Sequence, residues 1–286
     1  MTDIEWEERG IVFECGENRL VGIAALPQRH TGTGVMILVG GPQYRAGSHR
    51  QFTLLARDMA GAGVPSLRFD FTGMGDSEGE RRDFSATDAD IDAALEAFHT
   101  AQPGLERVVL WGLCDAASAA MMFAHRHARI VGLVLLNPWV HGAEYSPQVK
   151  LSHYYRPYLT ARGNWRRLFS GKIDLVPAAR EFAGSSVRMV ADWLGIARGG
   201  VSRHTYVQDM LDGFARFTHD SLIILSENDL TAREFSSLAA SDKSWDGALT
   251  APGVTMHTVA DADHTFSRRA WQDEVSRLTI DWIRQR

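Results

Sequence analysis

The hydrophobic positions of this chain follow two patterns that alternate along its length. Short runs that are apolar throughout, such as residues 35–39, are typical of strands covered on both faces of a parallel sheet. Elsewhere apolar residues recur every three or four positions, as at Phe52, Leu55 and Met59, which is typical of an amphipathic helix. This alternation predicts an α/β fold with a mostly parallel sheet and helices on both faces. Further predicted strands span residues 65–71, 107–111, 130–136, 221–225 and 254–259.

Two regions depart from this alternation. Residues 10–16 and 19–26 are short strand-like runs joined by a tight turn, which predicts a hairpin at the start of the sheet. Residues 141–217 contain no convincing buried strand and are rich in aromatic and basic side chains. We therefore predict that this stretch is a helical cap over the C-terminal strand ends, where an open α/β sheet binds its ligand. The predicted domains are an α/β core of residues 1–140 and 218–286 and a cap of residues 141–217.

Composition and charge limit the classes of partner. The formal net charge is −5, which argues against non-specific binding to nucleic acid. The two cysteines are too few for a disulfide framework, so a reducing compartment is expected. The acidic N-terminal residues do not resemble a signal peptide, and no apolar run approaches the roughly 20 residues that span a bilayer. We expect a cytoplasmic protein without an integral membrane segment. The sequence leaves the oligomeric state open.

Cys114 lies where a predicted strand turns sharply into a predicted helix. The strand ends in the run 108–111, and small residues at 116–122 follow with helical spacing. This order matches the G-x-S-x-G elbow that exposes a nucleophile, with Cys in place of Ser and Ala116 in place of the last Gly. The positive end of the helix dipole favours thiolate over thiol at this position. Cys15, in the predicted hairpin, is interpreted as a core residue.

A thiolate nucleophile needs a base, and the base needs an acid that orients it. In elbow-type hydrolases the acid and then the histidine follow the nucleophile, each after the end of a strand. Asp229 and His264 occur in that order, each in a turn past a predicted strand. The sequence therefore predicts a triad of Cys114, His264 and Asp229, with Glu227 as the main competitor for the acid.

The negative oxygen that forms during acyl transfer needs hydrogen-bond donors. The backbone N–H of Asp115, directly after the nucleophile, is one predicted donor. The N–H of Gly41, after the strand that ends near Val39, is the predicted second donor. Pro42 has no N–H, so Gln43 is the alternative.

The remaining motifs add little chemistry. Residues 70–79 are rich in glycine but lack the glycine and lysine spacing of phosphate-binding loops, so we interpret them as a structural turn. Tyr154, Tyr155 and Arg156, in the predicted cap, are candidates for substrate contact, with packing as the alternative. No CxxC or HExxH spacing of metal ligands occurs, and no metal or other cofactor is predicted.

These features together resemble the α/β-hydrolase superfamily over nearly the whole chain. More narrowly, residues 40–52, 111–118 and 153–155 resemble the first hydrolase family associated with bacterial exosortase A systems, which accompany exopolysaccharide production and protein sorting to the cell envelope. The resemblance implies the fold, a Cys-His-Asp triad and a cytoplasmic accessory role, but no defined substrate. The chain departs from the superfamily at Val39, where many members have the histidine of a His-Gly oxyanion motif, and at Ala116.

Three functions are compatible with these residues. The first is hydrolysis of an ester, thioester or lactone of a small molecule through an acyl-Cys114 intermediate. The second is acyl transfer from a thioester donor, whose phosphates the basic residues of the predicted cap would bind. Dienelactone hydrolases and bile-acid acyltransferases resemble this arrangement and represent these two outcomes. The third is a non-catalytic binding protein that has kept the fold.

Overall fold

The structure is a computed structural model that describes residues 4–41, 43–140 and 206–286. Within these ranges eight strands form one sheet, in the order β1-β2-β4-β3-β5-β6-β7-β8. The strands are β1 (Trp6–Cys15), β2 (Asn18–Pro27), β3 (Thr33–Leu38), β4 (Ser66–Phe69), β5 (Arg107–Leu113), β6 (Ile130–Leu136), β7 (Asp220–Ser226) and β8 (Val254–Val259). The described α-helices are α1 (Gln51–Gly61), α2 (Asp88–Ala101), α3 (Asp115–Phe123), α4 (Tyr206–Arg216), α5 (Leu230–Ser241), α6 (Lys243–Leu249) and α7 (Arg269–Arg284).

The sheet confirms the predicted α/β-hydrolase fold class. β1 and β2 pair antiparallel as the predicted hairpin, and β2 also pairs antiparallel with β4. From β4 to β8 every neighbouring pair is parallel. The C-terminal ends of these strands therefore lie along one edge of the sheet, which is where a ligand site is expected.

Two apolar layers cover the sheet, one on each face. Successive residues of β3 point to opposite faces, so Met36 and Leu38 join one layer while Val35 and Ile37 join the other. The first layer packs against α2, α3, α4, α5 and α6, and the second packs against α1 and α7. This two-sided burial explains why the central strands are apolar at nearly every position.

The sequence analysis did not assign α5 and α6. Their buried positions are few, with Phe235 and Leu238 in α5 and Trp245 and Leu249 in α6. Asp242, between the two helices, has an extended backbone and is the N-cap residue of α6. Its side chain accepts hydrogen bonds from the backbone N–H groups of Ser244 and Trp245. The periodic signal is thus divided between two helices, and each of them buries only two large side chains.

The end of the predicted cap is a helix against the core. α4, which falls within the predicted 141–217, buries Met210, Leu211 and Phe214 in the layer that contains α3. A Cβ on Gly213 would lie 2.4 Å from the carbonyl oxygen of Met121, so glycine permits this close contact with α3. The other predicted cap residues, 141–205, lie outside the described residues, and the cap stays a prediction.

Candidate active site

Cys114 stands at a strained turn between β5 and α3. Its φ is 63° and its ψ is −125°, a conformation that is costly for any residue except glycine. Close packing of the helix on the strand maintains the turn, because a Cβ on Gly112 would lie 2.6 Å from the carbonyl carbon of Ala116. The small side chain at position 116, where the motif has glycine, is accommodated and almost fully buried. Cys114 is only partly buried and occupies the N-cap position of α3, where its side chain makes no capping hydrogen bond.

His264 and Asp229 meet beside this thiol. His264 Nδ1 lies 2.9 Å from Asp229 Oδ2, and the Asp229 side chain is 8% exposed. The same carboxylate oxygen accepts the N–H of Ala232, at 3.0 Å, and so caps α5. The hydrogen bond from Asp229, followed by one from Cys114, raises the pKa of His264 to about 10 against the opposing effect of burial. A pKa near 10 keeps the imidazole cationic at neutral pH, and this positive charge lies beside the sulfur of Cys114.

The competing acid, Glu227, has a different contact. Its Oε2 accepts the N–H of Asp261 at 2.8 Å and so anchors the loop that precedes His264. Asp263 also stabilises this loop, because its carboxylate accepts the N–H of Ser267 at 3.0 Å and the hydroxyl of the same residue. Of these three carboxylates, Asp229 is the one that hydrogen-bonds to the imidazole of His264.

Asn137 is a part of the site that the sequence analysis did not identify. It is fully buried at the end of β6 with a φ of 43°. Its Nδ2 donates to the hydroxyl of Ser226, at 2.9 Å, and to the carbonyl oxygen of His264, at 3.1 Å, while its Oδ1 accepts the N–H of Ser226 at 2.8 Å. Asn137 thus joins the ends of β6 and β7 to the histidine loop. An Asn-Pro pair directly after an apolar strand was the available sequence signal.

The predicted oxyanion donors, Gly41 and Asp115, lie close together beside the side-chain carboxylate of Asp115. Gly41 N–H donates to Asp115 Oδ2 at 2.8 Å, and Ala116 N–H donates to Asp115 Oδ1 at 3.0 Å. Burial raises the pKa of the Asp115 carboxyl group above the ordinary value. The side-chain Oε1 of Gln43, the alternative residue, is buried without a hydrogen-bond partner among the described residues. The donor assignment stays a prediction, and it requires this carboxylate to move.

The glycine-rich tract after β4 is a structural turn. The buried carboxylate of Asp70 accepts the N–H of Arg45 at 2.7 Å and that of Asp76 at 3.1 Å. The Arg45 guanidinium also pairs with Asp70, and it pairs with Asp76 at 2.8 Å. A Cβ on Gly75 would lie 2.2 Å from the Asp70 carboxylate, so glycine is required there. These bonds attach the segment after Gly41 to the glycine-rich turn.

Three further predictions concern the cap residues, metal ligands and membrane-spanning segments. Tyr154, Tyr155 and Arg156 lie outside the described residues. Within the described ranges no three His, Cys, Asp or Glu side chains are grouped as metal ligands. Among the same residues, no helix has both the length and the apolar character needed to cross a membrane.

Comparison with known proteins agrees with the fold. The family model described as alpha/beta hydrolase family matches residues 36–278, which include the elbow, Asp229 and His264. The chain belongs to the α/β-hydrolase family. It is thus a hydrolase of the α/β fold, while the narrower exosortase-associated family stays a resemblance. No curated protein matches the sequence.

Solved structures share the fold of this hydrolase at low sequence identity. An esterase from Pyrococcus furiosus has a TM-score of 0.63 and 13% identity, covering 98% of this chain and 90% of the esterase. A dienelactone hydrolase from Anabaena variabilis has a TM-score of 0.59 and 14% identity, covering 98% of each chain. A putative α/β-hydrolase from Agrobacterium tumefaciens has a TM-score of 0.58 and 16% identity, covering 97% of this chain and 95% of that one.

Proposed function

We propose that this hydrolase cleaves an ester, thioester or lactone of a small molecule through an acyl-Cys114 intermediate, with His264 and Asp229 completing the triad. The observation that carries the proposal is the hydrogen-bonded series of Asp229, His264 and Cys114 at a strained elbow. The structural similarity to an esterase and a dienelactone hydrolase supports this class of reaction.

Acylation begins with the Cys114 thiolate and the His264 imidazolium. The sulfur attacks the acyl carbon, the carbonyl electron pair moves to oxygen, and backbone N–H groups stabilise the resulting oxyanion. When the carbonyl re-forms, the bond to the leaving alcohol or thiol breaks. His264 Nε2 donates the proton that this leaving group takes, because Nδ1 is held by Asp229.

Deacylation reverses the direction of proton transfer. His264, now neutral, takes a proton from water as the water oxygen attacks the thioester carbon. The tetrahedral intermediate then expels the Cys114 thiolate and releases a carboxylic acid. The imidazolium and the thiolate are restored, so the cycle consumes one ester and one water.

The wider assignments follow from the sequence. We infer that residues 141–217 cap the site, and that Tyr154, Tyr155 and Arg156 contact the substrate. The resemblance of residues 40–52 and 111–118 supports a cytoplasmic role accessory to exopolysaccharide and exosortase systems. The phosphorylated thioester donor of the acyl-transfer alternative depends on basic residues of the same predicted cap.

Incubation with p-nitrophenyl butyrate, followed by intact mass and peptide mapping, tests the mechanism. We expect release of p-nitrophenol and free butyrate, with a butyryl group on Cys114 at short times. An adduct that resolves only when an amine or alcohol is added would favour transfer over hydrolysis. Turnover without any adduct in the wild type, together with full activity of Cys114→Ala, would refute the acyl-cysteine route. The Cys15→Ala variant is the matched control for loss of a thiol.

A further inference from the structure

The Asp115 carboxylate occupies the position where an oxyanion is expected. Two backbone N–H groups donate to it, those of Gly41 and Ala116. Sequence order assigns the N–H of Gly41, together with that of Asp115 itself, to the oxyanion. A carboxylate oxygen and an oxyanion carry the same charge and accept the same donors. The Asp115 side chain therefore occupies the place that the substrate oxyanion would take during acylation of Cys114.

The backbone opposite this carboxylate leaves no room for any side chain. A Cβ on Gly40 would lie 2.0 Å from Asp115 Oδ1 and 2.9 Å from both Ala116 N and the carbonyl oxygen of Leu113. Glycine at position 40 is thus what lets the carboxylate reach the N–H of Gly41. The contact is close and specific rather than an incidental approach of two surface loops.

A cleft lined by two arginines lies beside the carboxylate. Asp115, Gly41 and Thr72 line this cleft together with Arg81 and Arg82. Arg82 lies 3.7 Å from the buried carboxylate of Asp90, whereas the positive charge of Arg81 acts on Asp115 itself. Arg81 is therefore the cation toward which the Asp115 carboxylate would turn on leaving the backbone N–H groups.

The carboxylate and a substrate oxyanion exclude each other. They compete for the same donors, and two negative charges within a few ångströms in a partly buried site repel strongly. A substrate must therefore provide enough binding energy from its other contacts to displace the side chain. An ester with few contacts beyond its acyl carbon would leave the carboxylate in place.

We propose that Asp115 is a specificity-determining residue: its carboxylate fills the oxyanion site of the free enzyme, and only acyl substrates that displace it toward Arg81 acylate Cys114 efficiently. This inference depends on the proposed acyl-cysteine function. It adds that small activated esters such as p-nitrophenyl butyrate are turned over, but more slowly than larger acyl substrates, because the oxyanion donors of the free enzyme are occupied. The carboxylate forms and breaks no covalent bond in this role.

Butanal is a suitable probe because its adduct needs the oxyanion site. The Cys114 thiolate adds to the aldehyde carbon and the carbonyl electron pair moves to oxygen, which places a negative oxygen against the N–H donors. Iodoacetamide alkylates the same sulfur and expels iodide without forming such an oxygen. Protection of Cys114 from iodoacetamide by butanal thus gives a dissociation constant that does not depend on turnover.

The variants Asp115→Ala and Asp115→Asn test the proposal against Asp246→Asn, which removes an exposed carboxylate on α6. We expect Asp115→Ala to bind butanal at least about tenfold more tightly than the wild type, since open oxyanion donors are worth large factors. Asp115→Asn keeps an accepting oxygen but loses the charge, so a smaller gain is expected. Asp246→Asn should match the wild type, and alkylation rates of the ionised thiol should change less than about threefold in all variants.

The possible results distinguish failure of the specificity role of Asp115 from failure of the acyl-cysteine mechanism. Equal or weaker butanal binding in the folded Asp115 variants would overturn the specificity role and show that the side chain only holds the loop of Gly41. If Asp115→Ala does not fold, as judged by its thermal transition, Asp115→Asn decides. Failure of Cys114 to react with iodoacetamide in every variant would instead refute the nucleophile, and with it both proposals.

Discussion

The two cysteines show how one side chain acquires opposite properties in two regions of the molecule. Cys15 is 6% exposed at the end of β1, and its sulfur donates to the buried carboxylate of Asp90 at 3.2 Å. Burial, together with the hydrogen bond and the charge of Asp90, raises the pKa of Cys15 to about 11. Cys114 instead contacts a cationic imidazole at a helix N-terminus. The charge of the neighbour, more than the thiol itself, determines whether sulfur can react.

Replacing each cysteine by alanine gives the largest expected contrast. We expect Cys114→Ala to lower kcat/KM for p-nitrophenyl butyrate by at least about a thousandfold, because nucleophile removal leaves little beyond oxyanion stabilisation and binding. Cys15→Ala should stay within about threefold of the wild type. Steady-state rates, with thermal denaturation to verify folding, measure both. Comparable losses in the two variants would remove the distinction between the sites.

Loss of the imidazole should bring the reactivity of Cys114 closer to that of an ordinary thiol. We expect His264→Ala to lower kcat/KM by about a hundredfold to a thousandfold, since general acid–base catalysis contributes factors of this size. His257→Ala is the matched control, because that histidine, on β8, pairs with Glu274 of α7, with 3.2 Å between Nε2 and Oε1. Steady-state rates in both variants test the assignment, and a greater loss in His257→Ala would contradict it.

Alkylation of the native protein should distinguish the two thiols directly. At neutral pH we expect iodoacetamide to modify Cys114 about a hundredfold faster than Cys15, because a buried thiol with a raised pKa offers almost no accessible thiolate. Peptide mass mapping over time gives both rates. In urea the two rates should become similar, and a persistent difference there would mean that local sequence, rather than the fold, controls reactivity.

Weakening the acid should have a smaller effect than removing the base. We expect Asp229→Asn to lower kcat/KM by about tenfold, because a thiolate–imidazolium pair depends less on the third residue than a serine triad does. The variant also perturbs the cap of α5, so its folding must be measured as well. Glu227→Gln should affect activity less than Asp229→Asn. The reverse order would identify Glu227 as the acid.

The smallest expected effect is on stability as a function of pH. The pKa of His264 rises from the ordinary value of 6.5 to about 10 on folding, so its contribution is complete below pH 6.5 and is lost as pH rises to about 10. The Tm of the wild type should therefore fall more steeply across this interval than that of His264→Gln. Scanning calorimetry at several pH values tests this, and parallel Tm curves would show that the ring is not charged in the folded protein.

Much of the fold could be predicted because its signals are local. The run at residues 35–39 and its counterparts are apolar for a reason that a single sequence reveals, namely burial on both faces of a sheet. Asp229 and His264 could be proposed because parallel strands deliver their C-terminal ends to one edge. Both inferences need only periodicity and chain order.

What could not be predicted depends on contacts between distant residues. The bond between Asn137 and the carbonyl oxygen of His264 joins positions 127 residues apart, and the bond between Gly41 and Asp115 joins positions 74 apart. No spacing in the sequence indicates which acceptor a backbone N–H will find. The orientation of the Asp115 side chain therefore depends on a contact between the loop after β3 and the start of α3, which are far apart in the sequence.

The pairing of β8 has a consequence for how the enzyme is made. This edge strand contacts only β7 within the sheet, and the loop after it carries His264. During translation the thiol of Cys114 leaves the ribosome long before its cationic neighbour exists. In the nascent chain Cys114 is therefore an ordinary free thiol until the last strand docks, and fraying of that strand would separate the imidazole from the sulfur.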